Sequence, residues 1–528
     1  AYDEVPSPNL PMPSSSIENL WTIARLRGLS TAEPGQARVL ELGCASGQNL
    51  LPMAERSPGG QFLGIDFSAR QIEFARTSAR EVGLENVEFL ELNLAELPDA
   101  DLPGADGAFD YIIAHAVYSW IDATTRDRLM AGIQKHLAPQ GLAFVSYNCY
   151  PGWHVHDALR AIMLYDAQMG RSTTERLAYA KNVIAFLNES LDPARPFDAA
   201  VKAQLAAVLA QSDAYLLHDH MEPVNQPVYF REFAAHAAGH QLQVAGDCIL
   251  GIRFNDYLTP DAEQRLEAIT ADPILKEEYR DIVRNRSIRQ TLLCHADVEL
   301  ASGLRVESIE GMYLAGNLRP EKPELDVRSV ALDSYVGANG LRITTPAPLI
   351  KAALAELADA WPKYLPLPEL LAGTKRRLKP EAEGSQPAED EIDAADLTRL
   401  HENLLQACAG GVLELHAAPA PFEAKPVDKP TGSPLARWQA SRASLVTNRK
   451  HEVVRMGQFE RNVLQLLDGS RDAEQLAELL TKSAGEGRFP VYENQQPVTG
   501  NEAIGRAIRA ALPNALELLA RNAFLIAG

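Results

Sequence analysis

The 528-residue chain has few cysteines and no long apolar runs. Its five cysteines are far apart and none belongs to a Cys-x-x-Cys pair, which argues against a disulfide framework or a thiolate zinc site. Apolar stretches such as residues 203–210 and 510–520 are well below the ~20 residues needed to span a bilayer. Residues 1–16 lack the basic and apolar segments of a secretory signal. We therefore expect a cytoplasmic protein with reduced thiols and no membrane partner.

Basic residues are outnumbered by acidic ones, with 50 Lys and Arg against 70 Asp and Glu and a formal net charge of −20. Because binding to nucleic acid begins with neutralising phosphates, this charge disfavours a nucleic-acid partner. The remaining composition, 46% hydrophobic and 23% charged, is that of a globular protein. A chain of this length is expected to form several domains.

Residues 36–148 alternate between short apolar runs and stretches with helical periodicity. The apolar runs are RVLELG, GGQFLGID, VEFLELN, FDYIIAHA and GLAFVSYN. This alternation is typical of a doubly wound parallel sheet with helices on both faces. We therefore predict an α/β protein whose residues 1–155 form the first part of a Rossmann-like domain.

The rest of the chain divides into further segments by composition and periodicity. The predicted segments are a helical insertion at 156–225, the end of the sheet at 226–250, a middle α+β domain at 251–345, and winged-helix-like units at 346–418 and 436–528. Within the middle domain we expect helix over residues 260–295 and strands over residues 306–345.

A small-residue loop, ELGCASG at residues 41–47, follows the first apolar run and precedes a helix. Gly43 permits a tight turn, Ala45 lets a ligand approach the backbone, and Gly47 opens the helix, whose N–H groups attract an anion. Asp66, 23 residues after Gly43, ends the second run, where a carboxylate accepts hydrogen bonds from both hydroxyls of a ribose. The spacing predicts a ligand that contains a nucleoside.

Two cofactors fit this position. A nicotinamide dinucleotide favours Gly-x-Gly-x-x-Gly, which residues 43–47 lack, whereas an acidic residue such as Glu41 is typical of S-adenosylmethionine sites. The methionine part of S-adenosylmethionine has a carboxylate, which matches the helix amides, and an ammonium, which matches an acceptor near Glu41. We therefore favour S-adenosylmethionine over the dinucleotide and over a purely structural turn. Asn93, which ends the third run, offers its amide to the adenine edge. The predicted cofactor-binding residues are Glu41, Gly43, Cys44, Ala45, Ser46, Gly47, Asp66, Phe67, Asn93, Leu94 and His115.

Segments spread over nearly the whole chain point to one family. They are ELGCASGQNLLPMA, AHAVYSWI, SYNCYPGWH, FREFAAHAAGHQLQVAGDC, RQTLLCH, HEVVRM and LLDGSRD. Together they resemble the bacterial class I methyltransferases with a methyltransferase regulatory domain, best understood from the rickettsial protein-lysine methyltransferases. The resemblance implies a methyltransferase domain, a helical insertion that forms a homodimer, a middle domain and a C-terminal domain around an open cavity. It also implies a protein substrate, the lysines of outer-membrane or exported proteins.

In a fold that binds S-adenosylmethionine, the methyl acceptor lies beyond the C-terminal ends of strands four and five. Aromatic faces there attract the sulfonium and exclude water, and a dry pocket favours the neutral amine of a lysine. We expect Asn148 or the hydroxyls of Tyr118 and Tyr147 to hold that amine and His115 to relay a proton, unless the rings only pack the core. The predicted catalytic residues are His115, Tyr118, Trp120, Tyr147, Asn148 and Trp153.

Metal ligation is not predicted. The candidate ligand sets are His154 with His156, and His218 and His220 with Glu222. Neither set has a third spaced cluster or the His-Glu-x-x-His pattern.

Three functions remain open at this point. The first is a protein methyltransferase that acts on lysine. The second is a small-molecule methyltransferase whose insertion is a lid. The third is a binding protein that senses S-adenosylmethionine without catalysis.

Overall fold

The computed structural model describes residues 9–103, 109–165, 172–249, 258–301, 303–379, 392–493 and 496–527. The central sheet consists of β1 (Arg38–Leu42), β2 (Gln61–Asp66), β3 (Val87–Glu91), β4 (Phe109–Ala114), β5 (Leu137–Asn148), β6 (Leu242–Asp247) and β7 (Ile288–His295). Their order across the sheet is β3-β2-β1-β4-β5-β7-β6. Strands β1 to β5 are parallel, and β7 is antiparallel to both of its neighbours. The predicted α/β class with a Rossmann-like sheet is confirmed.

Helices surround the sheet and extend from it. In chain order they are α1 (Ile17–Leu26), α2 (Leu50–Arg56), α3 (Ala69–Val82), α4 (Ala123–His136), α5 (Trp153–Tyr165), α6 (Thr173–Ser190), α7 (Pro196–Leu209), α8 (Asp213–Tyr215), α9 (Phe230–Gly239), α10 (Pro260–Ile269) and α11 (Pro273–Arg284). Several begin at a side-chain cap, such as Asp122 before α4, whose carboxylate accepts from the backbone N–H of Thr125.

The middle strands are apolar on both faces. Val39, Tyr111 and Ile113 belong to the core on one side of the sheet, while Leu40 and Ile112 belong to the core on the other side. Because successive residues of a strand point to opposite faces, a sheet with this pattern is covered by other elements on both sides. This explains why its strands are continuous apolar runs in the sequence.

The sheet does not end at residue 250, because β7 inserts between β5 and β6. The sequence predicts helix over 260–295, but the helical part ends at Arg284. The last segment, Ile288–His295, pairs antiparallel with both neighbours. A short run such as Leu292 to Cys294 fits a buried strand as well as a helix, so periodicity does not decide between them. The methyltransferase-like sheet therefore extends into the predicted middle domain.

A buried ion pair fastens α11 to β7. Arg289 donates to both carboxylate oxygens of Asp281, from Nε to Oδ2 at 2.6 Å and from Nη2 to Oδ1 at 2.9 Å. Both side chains are buried, and the guanidinium carbon lies 3.7 Å from the centre of the Phe230 ring. Since Phe230 begins α9, this pair joins three elements at the edge of the sheet.

We expect Asp281→Ala to destabilise the protein by about 3–5 kcal/mol, because it removes the two short hydrogen bonds of the buried Arg289 cation and leaves it the longer contact to Glu277, 3.4 Å from Nη2 to Oε2. Asp261→Ala is a matched control, since it removes an ion pair with Arg265 in which both side chains are largely exposed. That change is expected to cost less than about 1 kcal/mol. Circular-dichroism melts measure the difference, and equal melting temperatures for the two variants would contradict the role of the buried pair.

The helical insertion has a small core of its own. Helices α5, α6 and α7 pack around a cluster that includes Met163, Ile184 and Leu205. The helical character predicted for residues 156–225 agrees with these elements. The role of this insertion in a homodimer stays a prediction.

The middle part of the chain contains two small sheets. Its elements are β8 (Tyr313–Ala315), β9 (Leu318–Pro320), β10 (Asp333–Gly337), β11 (Arg342–Thr345), α12 (Pro348–Ala360), β12 (Leu365–Pro366), α13 (Leu367–Leu378), α14 (Ala394–Ala409) and β13 (Glu414–His416). The sheets have the orders β11-β10-β9 and β12-β8-β13. The unit predicted at 346–418 therefore takes its central strand from residues 313–315, so the two predicted segments share a sheet.

The last part of the chain forms a separate core. Its elements are α15 (Pro434–Ala440), β14 (Leu445–Thr447), β15 (Val453–Arg455), α16 (Gln458–Leu466), α17 (Ala473–Gly485), β16 (Tyr492–Glu493), β17 (Gln496–Pro497) and α18 (Asn501–Arg521). Val463, Leu480 and Ile508 lie at the centre of this core. Among the helices that the structure describes, none is long and apolar enough to cross a membrane.

Candidate functional site

The loop between β1 and α2 has three residues in the left-handed backbone region. Gly43, Ala45 and Gly47 have φ angles of 73°, 45° and 72°. A Cβ atom on Gly43 would lie 2.6 Å from Val117, and one on Gly47 would lie 2.7 Å from the Phe89 ring, so glycine is required at both positions. The strained conformation of Ala45 is typical of ligand-binding loops. The loop therefore has the compact backbone that the sequence predicts for a ligand cradle.

Asp66, at the end of β2, holds this loop in shape. Its Oδ2 accepts a hydrogen bond from the backbone N–H of Ala45 at 2.9 Å, and its Oδ1 accepts one from the N–H of Ser68 at 2.9 Å. A carboxylate offers about four acceptor positions, so one that holds this loop is also able to accept from the hydroxyls of a ribose. Asp66 thus connects the loops after β1 and β2 at the edge where the nucleoside is expected.

Glu41 is buried under the same loop. Its Oε1 accepts a hydrogen bond from the Asn49 side-chain amide at 2.7 Å, while its Oε2 has no hydrogen-bond partner among the described residues. Burial raises the pKa of Glu41 from an ordinary value of 4.5 to about 8. A positively charged ligand group, such as the ammonium of S-adenosylmethionine, favours the ionised form of Glu41, whose Oε2 is then able to accept a hydrogen bond from it.

We expect Glu41→Gln to stabilise the ligand-free protein increasingly as the pH rises. In the unfolded chain Glu41 ionises near pH 4.5, whereas in the folded protein it keeps its proton up to about pH 8. Ionisation therefore favours the unfolded state progressively across this window. Melts of both proteins should show the smallest difference near pH 4.5 and the largest above pH 8. A difference that does not change with pH would contradict a protonated, buried Glu41.

The other predicted cofactor residues lie along the same edge of the sheet. Cys44 is fully buried beneath the loop and Ser46 is half-buried, whereas the Phe67 ring is 61% exposed. Asn93 is exposed, and its side-chain oxygen caps the short helical turn that begins at Leu94. The structure thus places this set after β1, β2 and β3, and it gives Cys44 a buried position rather than a contact surface.

The C-terminal part of the chain reaches the cofactor loop from the other side. His451 Nε2 donates to the Asn49 side-chain oxygen at 2.8 Å, and Asn49 in turn donates to Glu41. His451 is fully buried, and burial lowers its pKa to about 3, so the ring is neutral. The Ser433 hydroxyl donates to Glu55 at the end of α2 at 2.7 Å. Sequence reasoning missed Asn49 and His451, because no local pattern connects residues so far apart.

His115 follows β4 in a fixed, neutral state. Its Nδ1 lies 2.9 Å from the Ser146 hydroxyl, whose oxygen also accepts from the backbone N–H of Ala116 at 2.7 Å. This contact fixes the orientation of the ring. Burial lowers the pKa of His115 to about 4. Such a weak base is a poor proton relay at neutral pH, which argues against the relay role that the sequence predicts.

Tyr118 and Tyr147 have their hydroxyls engaged inside the protein. The Tyr118 hydroxyl lies 2.8 Å from His236 Nδ1, and the Tyr147 hydroxyl lies 3.0 Å from the Thr291 hydroxyl. Both tyrosines are buried, and the Tyr147 ring stacks on the Phe233 ring with their centroids 4.0 Å apart. Tyr147 therefore contacts both α9, through its ring, and β7, through its hydroxyl. The structure thus gives both hydroxyls a packing role instead of the predicted contact with the acceptor.

Rings and histidines line the ends of β4 and β5. Trp120 and Trp153 pack edge to face with ring centroids 6.3 Å apart. The ring centroids of Trp153 and His156 are 4.8 Å apart, and those of His156 and His220 are 5.7 Å apart. Burial lowers the pKa of both histidines, that of His220 to about 3, so both are neutral at pH 7. We call Trp120, Trp153, His156 and His220 the aromatic wall.

Polar atoms lie beside the aromatic wall. The Asn148 side-chain amide donates to the Asn225 oxygen at 3.1 Å, and the backbone N–H of Asn148 donates to the Ser119 hydroxyl at 2.9 Å. Within the described chain, His156 Nδ1, His220 Nδ1 and Asn225 Nδ2 are buried without a hydrogen-bond partner. Sequence reasoning singled out the two histidines only as metal ligands and missed Asn225, because residues 148 and 225 share no motif.

A cavity of about 1250 Å³ lies beside the sheet, between α1, β7, the middle part and the C-terminal part. Its lining includes Ser14 and Ser16, the two neighbours of Ser15, whose hydroxyl accepts a hydrogen bond from the Asn49 side-chain amide. It also includes Ile288, which pairs with Asn148 across β7 and β5. The residues that line it belong neither to the cofactor loop nor to the aromatic wall, and its volume exceeds the roughly 300–1,000 Å³ of ordinary small-molecule pockets.

Three protein families match successive parts of the chain. Residues 35–193 match the family described as "Methyltransferase domain", residues 212–295 match "Predicted methyltransferase regulatory domain", and residues 428–524 match "PKMT, C-terminal winged helix domain". The second match lies earlier than the regulatory segment that the sequence predicts at 251–345. It includes β6 and β7, so the regulatory part contributes the last two strands of the sheet.

Relatives match the chain over most of its length. The uncharacterized protein RP789 of Rickettsia prowazekii is 29% identical over 534 residues, covering 99% of this chain and 93% of that protein. The uncharacterized protein RP028 of the same organism is 32% identical over 238 residues, covering 45% of this chain and 93% of that protein. The solved structure of PKMT2 from Rickettsia typhi has a TM-score of 0.83 at 26% identity and covers 99% of this chain and 100% of that chain. Its complex with AdoHcy gives a TM-score of 0.84 with the same identity and coverage.

The geometry and the matches agree on the cofactor. The strained loop, the Asp66 carboxylate and the buried Glu41 fit S-adenosylmethionine, and AdoHcy occupies the matching Rickettsia protein. The protein is therefore an S-adenosylmethionine-dependent methyltransferase. The chain belongs to the family that joins a methyltransferase domain to a methyltransferase regulatory domain and a PKMT-type C-terminal winged helix domain.

Proposed function

We propose that this enzyme transfers the methyl group of S-adenosylmethionine to lysine side chains of a protein. The observation that carries the proposal is the aromatic wall with its neutral, buried histidines at the ends of β4 and β5. A lysine amine needs such surroundings more than an oxygen or carboxylate acceptor does, because it must first lose a proton. The full-length similarity to PKMT2 supports the same acceptor.

When bound, S-adenosylmethionine supplies a methyl group on a positively charged sulfur. The acceptor nitrogen attacks the methyl carbon with its lone pair in line with the breaking carbon–sulfur bond, and the nitrogen gives up its proton. A free lysine has a pKa near 10.4, so it is almost entirely charged in water at neutral pH. Burial at the aromatic wall lowers the pKa of His220 to about 3, and an amine placed beside the same rings is expected to shift in the same direction.

The buried nitrogens of the wall give the amine its orientation. His156 and His220 each have an Nδ1 without a partner among the described residues. A neutral imidazole nitrogen that carries no proton accepts a hydrogen bond, so it is able to hold an N–H of the amine. Asn148, fixed by Asn225 and Ser119, lies at the end of β5 next to this wall. These contacts leave the lone pair free to face the methyl group.

The overall charge of the chain favours a basic polypeptide as the substrate. A net charge of −20 suits a basic or lysine-rich segment. An exported or outer-membrane protein bound before it folds is the substrate class that the family resemblance implies, and the homodimer is part of the same proposal.

The test is transfer of a radiolabelled methyl group into bacterial proteins. The full-length enzyme is incubated with labelled S-adenosylmethionine and a lysate that contains outer-membrane and cytosolic fractions. Labelled bands are then hydrolysed and analysed for methylated amino acids. We expect methyl-lysine in a discrete band, and no label with the Asp66→Ala variant in place of the wild type.

Other results would separate the alternatives. If the label appears only in small molecules, the methyl acceptor is a small molecule and the proposal of a protein substrate is wrong. Methyl groups on a residue other than lysine would overturn the lysine proposal and keep the protein substrate. Cofactor binding without transfer to any acceptor would favour a sensor.

A further inference from the structure

We infer that Asp127, His236 and His240 form a binding site for a divalent zinc-like cation, separate from the cofactor loop and the aromatic wall. His236 lies on α9, His240 is the residue that follows the end of this helix, and Asp127 lies on the adjacent helix α4. Both rings face α4, since the Nε2 atom of each lies within 4 Å of Asp127 Oδ1. No metal pattern of the sequence analysis included these residues.

The distances suit one ion. His240 Nε2 lies 2.9 Å from Asp127 Oδ1, and His236 Nε2 lies 3.7 Å from the same oxygen. The three ligand atoms all lie within 4.8 Å of one another. Two ligands bound ~2.1 Å from a tetrahedral ion are ~3.4 Å apart, so only shifts of a few tenths of an ångström to about 1 Å are needed. Two imidazoles and one carboxylate leave the fourth position for water, a donor set that zinc accepts.

The proposed site is accessible from solvent. The carboxylate is exposed and the two histidines are half-buried, so an ion reaches the set from solvent without a change in the fold.

Tyr118 fixes the orientation of one ligand. Its hydroxyl lies 2.8 Å from His236 Nδ1. When Nδ1–H donates to this oxygen, the lone pair of the ring is on Nε2, the nitrogen that faces Asp127. Metal-binding histidines usually have such a partner on their second nitrogen. The hydroxyl that sequence reasoning assigned to the methyl acceptor thus supports the cation site instead.

A bound cation would fasten α9 to α4. Phe233 on α9 stacks on Tyr147 of β5, so a fixed α9 also fixes this strand behind the acceptor side. Without the ion, the His240–Asp127 pair is exposed on the carboxylate side and contributes little to stability. The site is therefore structural, and the methyl transfer itself does not pass through it.

The test is zinc binding by the full-length, tag-free chain. After dialysis against a chelator, the protein is titrated with ZnCl₂ in competition with a fluorescent zinc chelator. We expect one equivalent of zinc bound by the wild type, and an affinity at least about 100-fold lower for His240→Ala and for Asp127→Asn. His154→Ala, which removes an exposed histidine outside the set, should bind like the wild type.

Two further measurements show whether the ion is held by these residues. Co²⁺ in place of zinc should give the visible absorption of a tetrahedral site in the wild type and not in His240→Ala. Zinc should raise the melting temperature of the wild type and leave that of Asp127→Asn unchanged, because only a ligand of the folded state stabilises it. Equal zinc affinity of the wild type and His240→Ala, or less than one equivalent bound by the wild type, would overturn the proposal.

Discussion

Replacing Asp66 by alanine is expected to lower the affinity for S-adenosylmethionine by at least about 100-fold. The carboxylate lies at the edge where we expect the ribose to bind, and it also accepts the N–H of Ala45 from the cofactor loop. The variant therefore loses two charged hydrogen bonds to the ligand, each worth about 1.5–3 kcal/mol, and the anchor of the strained loop. Isothermal titration with S-adenosylmethionine measures the change.

Asp110→Asn is a matched control for this experiment. Asp110 is also on a strand of the sheet, and its carboxylate accepts the backbone N–H of Arg38 at 2.8 Å. Because Arg38 begins β1, this contact lies at the opposite end of that strand from the cofactor loop. The control should bind S-adenosylmethionine with wild-type affinity. If Asp66→Ala binds S-adenosylmethionine with wild-type affinity, Asp66 does not hold the ribose.

Asn148→Ala is expected to reduce kcat about 10- to 100-fold while the affinity for S-adenosylmethionine stays within about twofold. Asn148 is far in sequence from the cofactor loop, and its amide is fixed by Asn225 beside the aromatic wall. Loss of this contact lets the acceptor shift, and a displacement near 1 Å is enough to cost a rate factor of about 100. Single-turnover methyl transfer separates this effect from cofactor binding.

The adjacent residue provides the control. Tyr147→Phe removes only the hydroxyl that bonds to Thr291, and the ring keeps its place on Phe233. We expect a small loss of stability, about 0.5–1.5 kcal/mol, and a kcat close to that of the wild type. If Tyr147→Phe slows transfer as much as Asn148→Ala, the Tyr147 hydroxyl takes part in the reaction and the packing role described above is wrong.

Local sequence patterns predicted the cofactor side well. The loop with Gly43 and Gly47 and the carboxylate of Asp66 follow directly from strands whose apolar runs are unambiguous. Backbone conformations that require glycine, and a fixed spacing between neighbouring strands, are properties of short segments. For this reason β1 to β5 and the cofactor loop were predictable without any knowledge of the rest of the chain.

The acceptor side was harder to predict, because its contacts join distant segments. Strand β7 comes about 140 residues after β5, from which it is separated by a helical insertion, yet it supplies the Thr291 hydroxyl that contacts Tyr147. Asn225 meets Asn148 through a loop that has no motif of its own. Single-sequence periodicity describes one element at a time, so it contains no information on which elements become neighbours.

The contact between His451 and Asn49 has a consequence for how the enzyme is made. The two residues are separated by 402 positions, so Asn49 leaves the ribosome long before its partner exists. At about 5–20 residues per second, the interval is roughly 20 to 80 s. During synthesis the cofactor loop therefore lacks the support that its buried Glu41 receives through Asn49. A nascent chain completes this support only after residue 451 has left the ribosome.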